Sequence, residues 1–187
     1  MIYSKSVVMI PCKIDSTRLS NKNLSLIGNK TLLEYSIDYA QECKYVSQIV
    51  VSTESEAVKN ICKKYDVLIH DRPTELLGDA DTVDVYVDVF KHFDFKDDIT
   101  HVVGLQPDNP DRQKSLNEII EYFVEKKYDD LVTVGTDGTR NGSVRLVKSE
   151  FVRDNNISRR VGTILDDCTN IHTIEDLKKA KERLLND

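Results

Sequence analysis

Tryptophan is absent from this chain of 187 residues, and cysteine is scarce, with only Cys12, Cys43, Cys62 and Cys168. No two of them form a C-x-x-C pair, so the sequence argues against a disulfide framework or a zinc site and predicts reduced thiols in a cytoplasmic protein. Apolar runs long enough to span a membrane are also lacking, and we expect no membrane partner. No signal peptide is visible, because the first five residues lead straight into a strand-like run.

Positive charge is in the minority. The chain carries 26 Lys and Arg against 32 Asp and Glu, a formal net charge of −6, so general affinity for nucleic acid is not expected. Its hydrophobic fraction of 40% and charged fraction of 31% are ordinary for a soluble globular protein. The length suits one domain with a proper core and is short for two, so we predict a single domain over residues 1–187.

Short apolar runs alternate with amphipathic helical patterns along the chain. This alternation predicts an α/β fold of three layers, with a mostly parallel sheet covered by helices on both faces. Capping boxes at Thr53–Glu56 and Ser115–Glu118 and caps at Asp81 or Thr82 and at Thr173 indicate helix starts. Strands are predicted at residues 7–11, 49–52, 67–70, 100–105, 131–134 and 143–147, and a further helix over residues 31–43.

The loop after the first predicted strand is the most informative segment. The strand ends at Pro11, and the polar loop that follows carries the cations Lys13, Arg18 and Lys22. Ligands of nucleotide-binding α/β domains sit beyond the carboxyl ends of the strands, where such cations suit a triphosphate. Charge alone favours a solvated basic loop in a chain with 26 Lys and Arg, so the order of the residues has to decide.

That order, P-C-K-I-D-S-T-R-L-S-N-K-N over residues 11–23, resembles the signature loop of the CMP-sugar synthetases. These are the cytidylyltransferases that activate 2-keto-3-deoxy sugar acids. Cys12-Lys13 stands where the family has Ala-Arg, which keeps the charge but loses the planar guanidinium. The Kdo branch of the family is matched by Pro11, Ser16, Thr17, Arg18, Leu19 and Lys22, and the nonulosonate branch by Asn23.

The resemblance continues in the family's order over about residues 6–180. Each piece is weak alone, but six in sequence make a specific signal. The pieces are V-V-S-T-E-S-E at 50–56, D-R-P-T-E-L at 71–76, D-A-D-T-V-D at 79–84, L-Q-P-D-N-P-D-R at 105–112, N-G-S-V at 141–144 and T-I-E-D-L at 173–177. The resemblance implies a Rossmann-like nucleotidyltransferase fold of the GT-A-like kind.

The resemblance also implies a reaction and a set of site residues. CMP would pass from CTP to a sugar acid or similar acidic acceptor with release of pyrophosphate, as in cell-surface polysaccharide biosynthesis. A strand-end role for Ser52, a loop role for Gln106 and a solvated position for Arg145 stay open. The implied catalytic residues are Lys13, Arg18, Lys22 and Asp108; further nucleotide contacts are Pro11, Ser16, Asn23, Ser52, Arg72 and Asp79; acceptor contacts are Gln106, Arg112 and Arg145.

The metal site departs from the family pattern. Asp108 falls on the aspartate of the family's Q-G-D-E-P and is the expected Mg²⁺ ligand, although an Asx turn would also explain it. The family's carboxylates before the last helix are replaced by Asn170-Ile171-His172. The imidazole of His172 suits Mn²⁺ better than Mg²⁺, or it only precedes the helix cap. Asp166 and Asp167 are the alternative sources of negative charge.

The acceptor region is short. Six residues, 135–140, separate a predicted strand from Asn141, where the sugar-acid synthetases have a much longer connection with dimer contacts. This predicts an open or small acceptor pocket, or one completed by another chain. A sugar acid, a phosphonate or a small phosphorylated compound fits such a pocket, and a homodimer is an expectation from the family alone.

Other classes compete with this interpretation. Asp79-Ala-Asp81-Thr-Val83 satisfies the D-x-D of metal-dependent glycosyltransferases and the D-x-D-x-[TV] of haloacid-dehalogenase phosphatases. Both patterns need a preceding hydrophobic strand, whereas residues 73–78 look like a loop. The stronger rival is a non-catalytic or degenerate nucleotide-binding protein of the same fold, which the change at Asn170 and His172 motivates.

Overall fold

The computed structural model describes residues 5–14, 21–78, 80–93, 95 and 99–185. Within them the strands are β1 (Lys5–Pro11), β2 (Leu26–Ile27), β3 (Lys30–Thr31), β4 (Val46–Thr53), β5 (Leu68–Asp71), β6 (Ile99–Leu105), β7 (Asp130–Val134), β8 (Arg140–Lys148) and β9 (Val161–Leu165). The α-helices are α1 (Leu32–Gln41), α2 (Glu56–Cys62), α3 (Thr82–His92), α4 (Leu116–Lys126), α5 (Ser149–Arg153) and α6 (Ile174–Leu185).

Seven strands form one mixed sheet in the order β5-β4-β1-β6-β8-β7-β9. β1 pairs in parallel with β4 and β6, β4 with β5, and β7 with β9, whereas β8 runs antiparallel to both of its neighbours. The carboxyl ends of six strands and the start of β8 therefore share one edge of the sheet, here called the carboxyl edge. The opposite edge is called the amino edge.

Helices cover both faces of the sheet, each over its own apolar cluster. One cluster joins α1, α2 and α4 to the sheet, for example through Leu33, Val58 and Phe123. The other joins α3 and α5 to the opposite face, for example through Val89 and Val152. The predicted three-layer α/β fold is confirmed, and the alternation of residues along β1 between the two clusters follows from the two-residue period of a strand.

Side-chain caps fix the start of several helices. Thr31 and Glu34 form a reciprocal capping box at α1, and Ser115 with Glu118 forms the predicted one at α4. The box predicted at Thr53–Glu56 is wrong in its cap: Thr53 still belongs to β4, and the N-cap of α2 is Ser55. The N-cap of α3 is Asp81, which makes no side-chain cap bond.

The central strand β6 and the helix α3 approach each other closely at Gly104. A Cβ atom at that position would overlap the hydroxyl group and ring of Tyr86, whose side chain is buried. Glycine is therefore required here by contact rather than by a left-handed backbone conformation. Among the described residues, no helix combines the length and apolarity needed to cross a membrane.

Candidate active site

The loops that follow β1 and β5 meet at the carboxyl edge. Lys13 lies two residues after Pro11, the end of β1, and its Nζ donates to the carbonyl oxygen of Gly78 at 2.6 Å. Asn23 Nδ2 donates to the carbonyl oxygen of Lys13 at 3.0 Å, which fixes the main chain beside this contact. Lys13 therefore lies where ligands of open α/β sheets bind.

Lys22 joins three distant segments at the same edge. It begins a short 3₁₀ turn after Asn21, whose φ of 53° is left-handed. Its Nζ lies 2.5 Å from Asp108 Oδ2 and 2.9 Å from the carbonyl oxygen of Ile171, and both charged side chains are nearly buried. The N–H of Ile171 in turn donates to the carbonyl oxygen of Asp108 at 2.9 Å. The structure thus brings two of the predicted catalytic residues into direct contact.

Three buried oxygens in these segments have no hydrogen-bond partner among the described residues. They are the Oδ1 atoms of Asp108, of the next residue Asn109, and of Asn170, the residue before Ile171. An unsatisfied buried polar atom costs about 1–3 kcal/mol, so these oxygens are suited to a ligand that supplies positive charge or a donor. Carboxylate and amide oxygens are hard ligands of the kind that Mg²⁺ prefers. No cluster of three or more His, Cys, Asp or Glu residues suited to a metal occurs within the described ranges.

His172 takes part in the hydrogen bonds at the start of α6. Its backbone N–H donates to Asp176 Oδ2 at 2.9 Å, and the same oxygen accepts from the N–H and hydroxyl of Thr173. These bonds match the cap that the sequence predicts. The expectation that the imidazole binds a metal stays a prediction.

Two aspartates connect the loop after β6 to the segment before α6 through hydrogen bonds. Asp111 accepts from the N–H and the hydroxyl of Thr169, both at 2.7 Å. Asp166 Oδ1 accepts from the backbone N–H of Gln113 and of Lys114, and its Oδ2 from a serine hydroxyl. Both carboxylates are therefore committed to holding the loops together, and Asp166 is engaged within the protein rather than left free for a metal.

Arg72 is held by a chain of buried polar groups. Its Nε donates to Ser52 Oγ at 3.1 Å, and its Nη2 donates to the carbonyl oxygen of Ser52 at 2.8 Å. Ser52 Oγ also lies 3.0 Å from His70 Nδ1, while His70 Nε2 lies 3.1 Å from Asp88 Oδ2. Burial lowers the pKa of Arg72. Burial also lowers the pKa of His70, although the negative charge of Asp88 acts in the opposite direction and raises it. The structure thus brings Ser52 and Arg72, two of the predicted nucleotide-binding residues, into direct contact.

Glu54 is a site residue that the sequence analysis missed. It follows β4, its Oε1 accepts from the N–H of Ile14 at 2.8 Å, and its Oε2 is buried without a partner among the described residues. Its charge acts on Arg72, since it opposes the lowering of that pKa by burial. Glu54 lies within the segment Thr53–Glu56, which was interpreted only as a capping box with Thr53 and Glu56 as its capping residues.

Gln106 and Arg112 stand at the carboxyl end of β6. The side chain of Gln106 lies against Gly142, where a Cβ atom would come within 3.0 Å of Nε2. Arg112 donates to the carbonyl oxygens of Gln106 and Ser143, and its guanidinium lies 4.9 Å from the ring centre of Tyr39. These contacts give Arg112 a role in fixing the loop, and burial lowers its pKa.

Arg145 is engaged on the sheet face under α3. Its Nε and one terminal nitrogen bind Asp130 at 3.1 and 2.5 Å, and Asp130 is almost fully buried. The pair borders a recess of about 200 Å³ that Tyr86 and Phe151 also line. Within the described part of the chain, no hydrogen bond or ion pair joins Arg145 to Lys22 or Asp108. Three further predicted nucleotide-binding residues, Ser16, Arg18 and Asp79, lie outside the described residues.

Comparison with known proteins gives consistent matches. A family model described as Cytidylyltransferase matches residues 7–181. The chain is 31% identical over 126 residues to the 3-deoxy-manno-octulosonate cytidylyltransferase of Rickettsia typhi, covering 65% of this chain and 49% of the relative. It is 30% identical over 136 residues to the N-acylneuraminate cytidylyltransferase of Escherichia coli O18:K1:H7, covering 70% of this chain and 31% of the relative. The chain thus spans about half the length, or less, of these curated relatives.

A solved structure agrees with the fold over almost the whole chain. CMP:2-keto-3-deoxy-manno-octonic acid synthetase, solved in complex with CTP, superposes with a TM-score of 0.74 at 12% identity, covering 98% of this chain and 99% of that chain. At this identity the match establishes the fold alone. It agrees with the predicted α/β architecture.

Proposed function

Because the chain belongs to the cytidylyltransferase family, we propose that it transfers CMP from CTP to a small acidic acceptor and releases pyrophosphate. We favour a sugar acid as the acceptor, since both curated relatives carry the name of a cytidylyltransferase for such an acid. The observation that carries the proposal is the nearly buried Lys22–Asp108 contact, beside which the second oxygen of Asp108 is unpartnered among the described residues.

The chain's own cations would bind the triphosphate and stabilise the departing pyrophosphate. The acceptor oxygen bonds to the α-phosphorus while the bond to the β-phosphate oxygen breaks, so negative charge builds on pyrophosphate. Lys13 and Lys22 lie at the carboxyl edge, and the sequence adds Arg18. A cation about 4 Å from a unit negative charge contributes roughly 4 kcal/mol at an effective dielectric near 20. Because Lys22 is already held by two oxygens, little reorganisation is needed.

Asp108 and Asn170 are the residues that would hold a divalent cation. Their unpartnered oxygens fit Mg²⁺ or Mn²⁺, and substrate phosphates with water would complete the ligands, as is usual for Mg²⁺. When bound, the cation would neutralise phosphate charge. Lys22 occupies only Oδ2 of Asp108, which leaves Oδ1 for this role.

The acceptor would enter beside Gln106, over the short β7–β8 connection. That connection spans only residues 135–139. From its shortness we infer that the carboxyl edge is open to an acceptor near Gly142. Gln106 offers an amide that can donate to a carboxylate or accept from a hydroxyl, the groups of a sugar acid. Its position next to Gly142 holds the amide against the main chain.

The test is pyrophosphate release from CTP with Kdo, N-acetylneuraminate and a phosphonate as acceptors. We expect turnover with at least one sugar acid, and we expect Asp108→Asn to lower kcat by at least about 100-fold, which is roughly 2.7 kcal/mol. Lys22→Met is expected to raise KM for CTP as well. Asp66→Asn, at an exposed aspartate, and Lys178→Met, at an exposed lysine on α6, are the matched controls and should leave both constants unchanged.

Nucleotide binding without turnover would instead favour the degenerate alternative. In that outcome CTP would bind the wild type with a measurable Kd, no pyrophosphate would form with any acceptor or metal, and Asp108→Asn would change neither result. Full activity of Asp108→Asn would contradict the assignment of Asp108.

A further inference from the structure

The last strand of the sheet, β9, presents an open edge. Of the described strands it pairs with β7 alone. The carbonyl oxygen of Arg160 accepts from Asp129 N at 2.8 Å, and Asp166 N donates to the carbonyl oxygen of Val134 at 2.9 Å, so the even-numbered residues point their main-chain groups at β7. Because this direction alternates along a strand, the odd-numbered residues point theirs outward. These are Val161, Thr163 and Leu165.

The side chains on one face of this edge are all exposed. Val161, Thr163 and Leu165 share that face by the two-residue period and are exposed, Val161 at 51% and Leu165 at 50%. Arg159 and Asp167, which flank the strand, are exposed as well. Natural edge strands are usually protected by an inward charge, a lysine or a proline. The strand Val161–Leu165 contains none of these, so it is a template for pairing with another strand.

The sequence of the edge is complementary to itself. It reads R-R-V-G-T-I-L-D-D over residues 159–167, with two cations at one end and two anions at the other. An antiparallel copy centred on Thr163 places Arg159 opposite Asp167 and Val161 opposite Leu165. A shift by one register step places Arg159 opposite Leu165 and loses the charge match. The register centred on Thr163 also pairs the three residues whose main-chain groups point outward.

We propose that two copies of this chain associate through β9, antiparallel and two-fold symmetric about Thr163, into one continuous sheet of fourteen strands. Val161, Thr163 and Leu165 of each copy exchange six N–H···O bonds across the axis, and two Arg159–Asp167 pairs close its ends. The interface is smaller than the roughly 1,600 Å² of a standard complex, so we expect a Kd on the order of 10 µM.

This arrangement determines where the two candidate active sites lie. Because the paired strands run in opposite directions, the carboxyl edges face opposite ends of the joined sheet. Each Lys22–Asp108 junction is then complete within one chain. The proposal rests on the edge alone and does not depend on the proposed function.

The first test combines charge reversal with mixing, read by light scattering after size exclusion from about 1 to 100 µM. We expect the wild type to dimerise over this range, and Arg159→Asp and Asp167→Arg each to weaken dimerisation by roughly tenfold or more. An equimolar mixture of the two variants should recover the dimer. In the mixed dimer, one contact pairs the two substituted residues, with the charges exchanged, and the other pairs the original Arg159 and Asp167. Circular dichroism checks that both variants fold, since Asp167 also contacts Arg183.

The second test is a cross-link at the axis. Opposed residues of a hydrogen-bonded antiparallel pair have Cα atoms about 5.5 Å apart, within the range of a disulfide. Thr163→Cys should therefore give a covalent dimer under mild oxidation, while Thr139→Cys, in the exposed β7–β8 turn, should not. A monomeric wild type at 100 µM, no recovery on mixing, or no cross-link at residue 163 would each overturn the proposal.

Discussion

Arg72 enters the candidate site with its orientation already set by its neighbours. Asp88 on Nε2 of His70 indicates that this nitrogen carries the proton, so Nδ1 accepts from Ser52 and Ser52 Oγ accepts from Arg72. One arrangement of protons satisfies all four groups, and it requires a neutral imidazole. A lysine could not replace Arg72, because two donors of the guanidinium fork are used on Ser52.

A second buried histidine makes the stability of the protein dependent on pH. Burial, with a smaller effect of Lys148, lowers the pKa of His101 from 6.5 to about 4. Between these values the unfolded chain binds the proton and the folded chain does not, so the free energy of unfolding falls as the pH falls from about 6.5 to 4. For this one group the loss is about 3 kcal/mol.

His101→Gln should remove that contribution. Urea unfolding at several pH values should show a shallower decline for this variant than for the wild type over the same window. His92→Gln, at an exposed histidine of α3, is the control and should keep the wild-type slope. Equal slopes for the wild type and His101→Gln would contradict the assignment.

At the scale of elements, the contact between β6 and α3 constrains the middle of the molecule. Gly104→Ala would drive a methyl group into the hydroxyl and ring of Tyr86, whose side chain is buried. We expect a loss of about 1–3 kcal/mol in the free energy of unfolding, measured with urea. Gly135→Ala is the control, because its Cβ would meet only the flexible side chain of Asp137. A loss as small as that of the control would show that α3 moves aside.

Elements with strong local signals could be predicted from the sequence. The apolar run ending at Pro11 and the box Ser115–Glu118 each carry their signal within a few residues, and both are found as expected. β9 was not predicted. Val161–Leu165 has two exposed apolar residues and a glycine, so it lacks the buried apolar run that marks the other strands. Its place as a strand depends on β7, about thirty residues earlier.

At the scale of the whole molecule, the candidate site combines segments that no local pattern connects. Lys22 and Asp108 were each singled out by resemblance, but their contact spans 86 residues and follows only from the strand order. The pairing of Arg145 with Asp130 was equally inaccessible, since it depends on the register of β8 against β7. Both contacts depend on how distant segments pack together, which the type of a residue does not reveal.

Nucleotide binding should stabilise the whole fold. CTP at about a hundred times its Kd adds roughly 2.7 kcal/mol, which for a chain of this size raises Tm by roughly 5–10 °C. We expect this shift with CTP and Mg²⁺ or Mn²⁺, a smaller one with EDTA, and little with ATP, GTP, UTP or dTTP. Lys22→Met should reduce the shift, and equal shifts with all five nucleotides would contradict selectivity for CTP.

The bonds of Lys22 also set the order in which the site can form. Its two acceptors lie 86 and 149 residues further along the chain, so closing them needs contacts of very high sequence separation. Contacts of this kind form late in folding, after local helices and nearby strand pairs. During synthesis the loop that carries Lys13 and Lys22 leaves the ribosome long before Ile171 does, so for most of translation the nascent protein lacks the oxygens that hold Lys22 in place.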